Sequence, residues 1–411
     1  MDEIEIPHYF LCPISLEMMR DPVTVCTGIT YDRESIERWM FSCNNKTCPV
    51  TKQPLQEDLT PNHTVRRLIQ AWCIANASYG VERIPTPRPP VDKTKIIKLI
   101  DEGKNPQKLL SSLHQLKSIS LESDRNKRCM EAAGAVSFLA SIVKKNSSTS
   151  NGEAPNDELE TVRSSEEALS ILHYLQLTDD GLRELIYKNG DFVSSLTDIL
   201  RRGNCQSRAY AIFLLKSIFQ VFDPLKLVGT SPEIFQEVVQ VLRHQISQQA
   251  TKSALQILIE LCPWGRNRIK AVESGAVSVL IELLLEISDK RCCEMILVVL
   301  DQLCGCADGR ADFLRHAAGL AIVSKKMLRV SSVATERAVK ILSSISRCST
   351  TPAVVQEMLQ VGVVSKLCLV VQVNCSLKAR EKAKEILALH YKTWRNSSCG
   401  PVHLLASYPS L

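Results

Sequence analysis

The chain has 411 residues, 45% of them hydrophobic and 23% charged, with a net charge of +6. This ordinary globular composition leaves room for two or three domains and excludes a fibrous or wholly disordered chain. Without a run of about eighteen apolar residues it also offers no membrane-spanning helix. Aromatic residues make up only 5%, which suits a helical solenoid better than a β-sandwich. The acidic start MDEIEIPHYF lacks an apolar leader core, so secretion is not expected and the 16 Cys read as reduced thiols. Residues 1–79 carry −3 and the remainder +9, spread along helical patterns. Such dispersed charge reads as solvated faces, and nucleic acid is not an expected partner.

Residues 9–55 carry Cys12, Cys26, Cys43 and Cys48, a first hint of a zinc module. The ligand count fails. A structural zinc takes four thiolate or imidazole ligands, usually as close Cys pairs. Here Cys12-Pro13-Ile14-Ser15 stands where a pair is needed, no Cys-x-x-Cys occurs anywhere, and His8 and His63 fall outside ligand spacing. The expectation is a metal-free module with two proline-fixed loops, Cys12-Pro13-Ile14 and Cys48-Pro49-Val50-Thr51. Gly28 supplies a positive-φ turn between them. Thr30 or Asp32 is placed to cap a helix with Ile36, Trp39 and Met40 on its apolar face. A last helix over residues 61–72 puts Val65, Leu68, Ile69 and Trp72 on one side. Glu17, Arg20, Asp21, Asp32, Arg33 and Glu34 sit where metal ligands would otherwise be needed, and are expected to tie the loops by hydrogen bonds.

Residues 80–93 form a linker stiffened by Pro85, Pro87, Pro89 and Pro90. Its Thr86-Pro87 is a candidate phosphorylation site, set against the commoner reading of a spacer threonine. From residue 94 the chain repeats. The apolar octets at 168–175, 211–218, 254–261, 296–303, 338–345 and 383–390 start 43, 43, 42, 42 and 45 residues apart. A weaker copy at 109–116 precedes them by 59, the excess falling in a polar insert near 144–160 that reads as loop. A Gly or Pro mark at 134, 190, 232, 275, 319 and 362 keeps the same beat. Two signals per period of about 43 mean three helices per unit, within the armadillo and HEAT range. About seven such units would run to residue 395, leaving 396–411 as a mobile tail. No unit buries its apolar face alone, so neighbours must stack.

No nucleophile motif, Walker loop, dinucleotide fingerprint or His-Glu-x-x-His occurs, so no cofactor or metal is expected. Cys12 lacks a basic neighbour that would make it a thiolate and reads as structural. Cys292-Cys293 and Cys304-x-Cys306 read as core thiols.

The blocks CPISLEMMRDPV, TGITYDRESIERW, CPVTKQPL and LTPNHTVRRLIQAW resemble, in that order, the U-box of plant ubiquitin ligases over residues 5–79. The repeats resemble the armadillo region that usually follows it. The fold implied is mostly α: a small RING-like α+β U-box, then an all-α armadillo solenoid. The activity implied is that of a ubiquitin-protein ligase acting by scaffolding, with no covalent ubiquitin intermediate. The partners are a ubiquitin-conjugating enzyme, ubiquitin and a protein substrate held on the repeats. By the same resemblance Cys12, Pro13, Ile14, Trp39, Pro49 and Val50 contact the conjugating enzyme. Lys52 stands where many relatives have an arginine that clamps ubiquitin. A homo-oligomer through the U-box, a role in plant immune or stress signalling, and a cytoplasmic location compatible with nuclear or peripheral membrane pools are further implications. Two other readings compete. An import receptor would need a Trp and Asn ladder, but Trp264 and Trp394 do not recur with the period. A non-catalytic armadillo scaffold or adaptor is the stronger alternative.

Overall fold

The computed structural model describes residues 5–42, 45–56, 58–84, 91–148, 155–373 and 375–395. Thr86 and the tail from 396 therefore lie outside the described residues. Two compact units emerge: residues 1–105 with 114–133, and residues 106–113 with 134–411.

The first unit contains a three-stranded antiparallel sheet in the order β2-β1-β3. β1 (Pro22–Thr24) pairs with β2 (Thr30–Asp32) through the Val23–Tyr31 register, and with β3 (Thr60–Pro61) through Val23–Pro61. Gly28, at φ +79°, makes the hairpin turn that L-residues with a Cβ resist. α1 (Arg33–Glu37) follows at once and continues as a π-helical turn over Arg38–Ser42. Asp32 occupies the cap position of α1 but makes no capping bond, contrary to expectation; its carboxylate is used elsewhere. α2 (His63–Ala75) is capped by Asn62, whose Oδ1 accepts from the Val65 amide at 3.0 Å. The same side chain donates to Thr24 Oγ1 at 3.2 Å, so one residue starts the helix and pins it to β1. Ile69 and Cys73 are the fully buried side chains of α2, with Val65 and Trp72 packed beside the core. Leu68, expected on that apolar face, points out and is 52% exposed. The core they enter contains Phe10, Cys12, Met19, Val23, Tyr31, Ile36 and Cys48. Burying Ile69 there contributes about 1.5–3 kcal/mol.

α3 (Lys93–Glu102), the C-terminal part of α4 (Pro106–Glu122) and α5 (Asp124–Ala132) belong to this first unit as well. Composition alone puts a boundary at the proline linker; packing joins these helices to the sheet module. The ties are specific. Arg128 reaches the buried carboxylate of Glu37 at 3.6 Å, while the buried Asn126 accepts the Val91 amide at 3.2 Å and so fixes the end of the linker to α5.

The second unit is built from three-helix repeats. One of them shows the logic plainly: Gly265–Glu273, Ala276–Glu286 and Lys290–Leu303 are a short, a middle and a long helix. Gly275, at φ +77°, separates the first two. The long helices carry the sequence octets and pack on one another from repeat to repeat, giving one continuous core. Buried amides cross the repeats: Asn267 Nδ2 donates to the carbonyls of Leu227 at 2.8 Å and Leu261 at 3.1 Å. The polar insert is shorter than its composition suggests. A helix ends at Ser148 and the next begins at Pro155, so residues 155–160 extend a long third helix instead of forming loop.

Candidate functional site

CPISLE and CPVTKQ fold into two loops of the same construction. In the first, the Leu16 amide donates to the Cys12 carbonyl at 2.8 Å and the Cys12 amide to the Glu17 carbonyl at 2.8 Å. In the second, the Lys52 amide donates to the Cys48 carbonyl at 2.9 Å and the Cys48 amide to the Gln53 carbonyl at 2.8 Å. Leu16 and Lys52 both adopt the left-handed conformation, at φ 59° and 60°. Each loop thus stores a strained residue of the kind that persists only where surrounding bonds enforce it.

What holds each loop differs. Charge holds the first, as expected from the residues around it. The Asp32 carboxylate accepts the amides of Arg20 at 2.8 Å and Asp21 at 2.9 Å, and Arg33 Nε meets the Asp21 carboxylate at 2.6 Å. Glu17 contributes only its backbone, and Glu34 pairs outward with Arg38 at 2.8 Å. The second loop is held by sulfur and hydroxyls. Cys48 Sγ, fully buried, lies 3.0 Å from the Tyr31 hydroxyl and accepts from Thr27 Oγ1 at 3.5 Å and the Thr51 amide at 3.4 Å. Burial works to raise this thiol, but the bonds from Thr51, Tyr31 and Thr27 overcome it and set it at about 6. Burial and the bond to Cys48 push the Tyr31 phenol up, so the hydroxyl keeps its proton beside the sulfur. Sequence reading missed this hub, although the repeated Cys-Pro loops were its visible signal.

The expected contact residues divide into two groups. Cys12 is fully buried and accepts the Asp32 amide at 3.3 Å, so it braces the loop and has no surface for a partner, which corrects the direct contact expected of it. Pro13 is exposed, and Ile14 is partly buried against the core. Trp39 is half-buried, with its indole N–H donated to the Thr47 carbonyl at 2.9 Å, so it carries the entry of the second loop. Pro49 is half-buried, and Val50 is 51% exposed. Leu16, not among the expected contact residues, is 74% exposed. Exposed apolar tips thus stand on firmly braced loops. Lys52 stands exposed beside them.

Glu37, at the end of α1, was also missed. It is 8% exposed between Arg33 at 3.8 Å and Arg128 at 3.6 Å. Burial raises its carboxyl, while Arg128, Arg33 and Arg125 pull it down. Among the described residues no cluster of His, Cys, Asp or Glu could hold a metal ion. Because hydrogen bonds brace both loops, EDTA should leave the midpoint of urea unfolding unchanged. A fall in that midpoint on chelation would show a metal bracing them instead.

A RING-like module with two hydrogen-bonded loops, followed by a chain of three-helix repeats, defines a U-box protein with an armadillo solenoid. The U-box domain model matches residues 6–78, and the plant U-box protein ARM repeat region matches residues 94–410. The E3 ubiquitin-protein ligase PUB23 of Arabidopsis thaliana is 53% identical, over 99% of this chain and 98% of its own length. PUB22 of the same plant is 51% identical over 99% of both chains, and PUB24 is 36% identical over 100% and 97%. A solved chain from work on the phosphorylation switch between cadherin and beta-catenin overlays with a TM-score of 0.57 at 15% identity, covering 80% of this chain and 58% of that one. The crystal structure of Uso1-2 gives 0.54 at 15%, covering 74% and 52%. These two likenesses speak for the fold alone. The chain belongs to the plant U-box armadillo-repeat family.

Proposed function

We propose that this chain transfers ubiquitin without bonding to it: the braced loops dock a ubiquitin-charged conjugating enzyme and hold its thioester in an attack-ready pose. The protein is a ubiquitin-protein ligase of the U-box, RING-type class, with conjugating enzyme and ubiquitin as partners and armadillo repeats for substrates. Positioning alone supplies large rate factors when reacting groups are held in line. The observation that carries the docking reading is the pair of matched loops, each strained and fully bonded inside, with apolar tips outside. Ile14, Trp39 and Pro49 supply its main contacts, Pro13 and Val50 its margin.

The test is single-turnover discharge of a charged conjugating enzyme onto free lysine. The wild-type chain should accelerate it. Ile14→Ala should bring the rate back towards that of the conjugating enzyme alone, with stability lowered by only about 1 kcal/mol because the side chain is partly exposed. Lys52→Arg should accelerate discharge, since a planar guanidinium fork clamps two partners where an ammonium is a point charge. Equal rates for Lys and Arg would remove Lys52 from the clamp. A chain that binds conjugating enzyme yet leaves discharge unaccelerated would be a scaffold.

Homo-oligomerisation through the U-box is part of the same proposal. Leu68, Ile74 and Tyr79 stand 52%, 59% and 71% exposed on or just after α2, and light scattering of the full chain reads the outcome directly. Resemblance to plant ligases that tune immune and stress signalling supports substrates of that kind in a cytoplasmic setting. Proximity labelling with the Trp39→Ala chain tests both: enrichment of proteins unconnected with such signalling, or of another compartment, would count against it.

A further inference from the structure

The second unit carries a notch that the ligase chemistry does not use. It lies among three successive third helices, Pro155–Leu175, Cys205–Val221 and Gln248–Leu261, and encloses about 480 Å³. Its floor is aliphatic, with Leu172, Leu182 and Leu214 buried and Leu177 partly so. One wall is aromatic. The His173 ring lies 4.9 Å from Tyr210 and 5.2 Å from Phe213, tilted 31° and 33° to them. The Tyr210 hydroxyl is fixed in turn, 3.2 Å from that of Tyr174 and 3.0 Å from Gln206 Nε2. Burial lowers the His173 imidazole from its ordinary value, so at neutral pH this wall is uncharged.

The rim is basic. Lys216 and Lys252 line it, and no carboxylate does. Lys252 is paired with Asp289 at 3.2 Å. Lys216, half-buried, has no carboxylate partner among the described residues. A partly desolvated ammonium beside an apolar cavity favours an anion and disfavours a cation. The volume suits one bulky side chain and the backbone that carries it. Building on the reading that the repeats recruit protein substrates, we propose that this notch receives an acidic-flanked aromatic or large aliphatic side chain of a partner segment, with a flanking carboxylate on Lys216. The solenoid then selects targets by an apolar anchor in an acidic stretch.

The probe is a display library of short random peptides, panned against the full chain. Wild type should select sequences with Phe, Trp, Tyr or Leu among Asp and Glu. The fluorescein-labelled consensus peptide should lose about tenfold or more in affinity for Lys216→Glu, whose melting temperature serves as the folding control. The same peptide with a benzophenone at its anchor position should cross-link to residues 205–221 of the wild-type chain, a readout that needs no variant. Selection of basic or uncharged peptides, no selection at all, equal affinity for Lys216→Glu, or cross-links elsewhere would each overturn the proposal. Conjugating-enzyme discharge, followed in parallel on wild type, reports the ligase reading, so a failed screen with intact discharge removes the notch alone.

Discussion

Replacing Cys48 with alanine should lower the stability of the N-terminal module by about 2–4 kcal/mol, the range for deleting a buried group whose partners are left unpaired. The thiol is fully buried, and its loss strands the Tyr31 hydroxyl inside the core while the second loop loses the anchors at Thr27 and the Thr51 amide. Lys52, whose left-handed backbone depends on that loop, loses its enforcement as well. Hydrogen exchange of segments within residues 9–73, read in increasing urea on the full chain, measures the loss. A pH series sharpens it. The Cys48 thiol stands at about 6 in the folded chain, below the ordinary thiol value of about 8.5. A group depressed on folding contributes stability that is fully present above its unfolded value and is lost as pH falls through its folded value. Wild-type stability should therefore decline between about pH 9 and pH 6 by a component that Cys48→Ala lacks. Identical pH profiles for the two chains would show that the thiolate contributes nothing.

Trp39→Ala should reduce discharge of a charged conjugating enzyme by about tenfold or more, because aromatic anchors at the centre of small interfaces dominate their energetics. Two losses combine here. The half-buried indole face disappears from the proposed contact surface, and the N–H bond to Thr47 that carries the second loop goes with it. Trp39→Phe separates them by keeping most of the ring and losing only the donor. Its discharge should fall between the other two, and hydrogen exchange of the Thr47–Lys52 loop should rise in both variants. Wild-type discharge by Trp39→Ala would exclude Trp39 from docking, whatever happened to the loop.

Much of this protein was legible in advance, for reasons particular residues show. Repeat length survives sequence drift because each unit must present an apolar octet to its neighbours at one spacing. Hence three helices per unit follow from the octets together with the Gly or Pro marks that keep the same period. Gly275 and Gly362 kept the beat because their φ values of +77° and +76° resist a side chain. Structure departs from local pattern where competition for a partner decides. Asp32 is a good capping residue, yet two amides of the first loop claim its carboxylate. Leu68 fits the helical period, yet the sheet covers a narrower stripe of α2 than periodicity implies. Residues 155–160 are polar yet helical, because composition does not distinguish exposed helix from loop.

From the amino-acid order alone came a module without zinc pairs, two Cys-Pro loops around a tryptophan-bearing helix, and a stack of repeats. Each of these rests on local spacing, proline geometry or a repeating apolar pattern. Tertiary structure decided what braces the two loops. Tyr31 and Cys48 are 17 residues apart, and Thr27 and Cys48 are 21 apart, so only folding makes them one hydrogen-bonded cluster. It also decided that Glu37 is buried against Arg128 and that His173, Phe213 and Lys216 share a notch, because burial and long-range pairing depend on the whole packed chain.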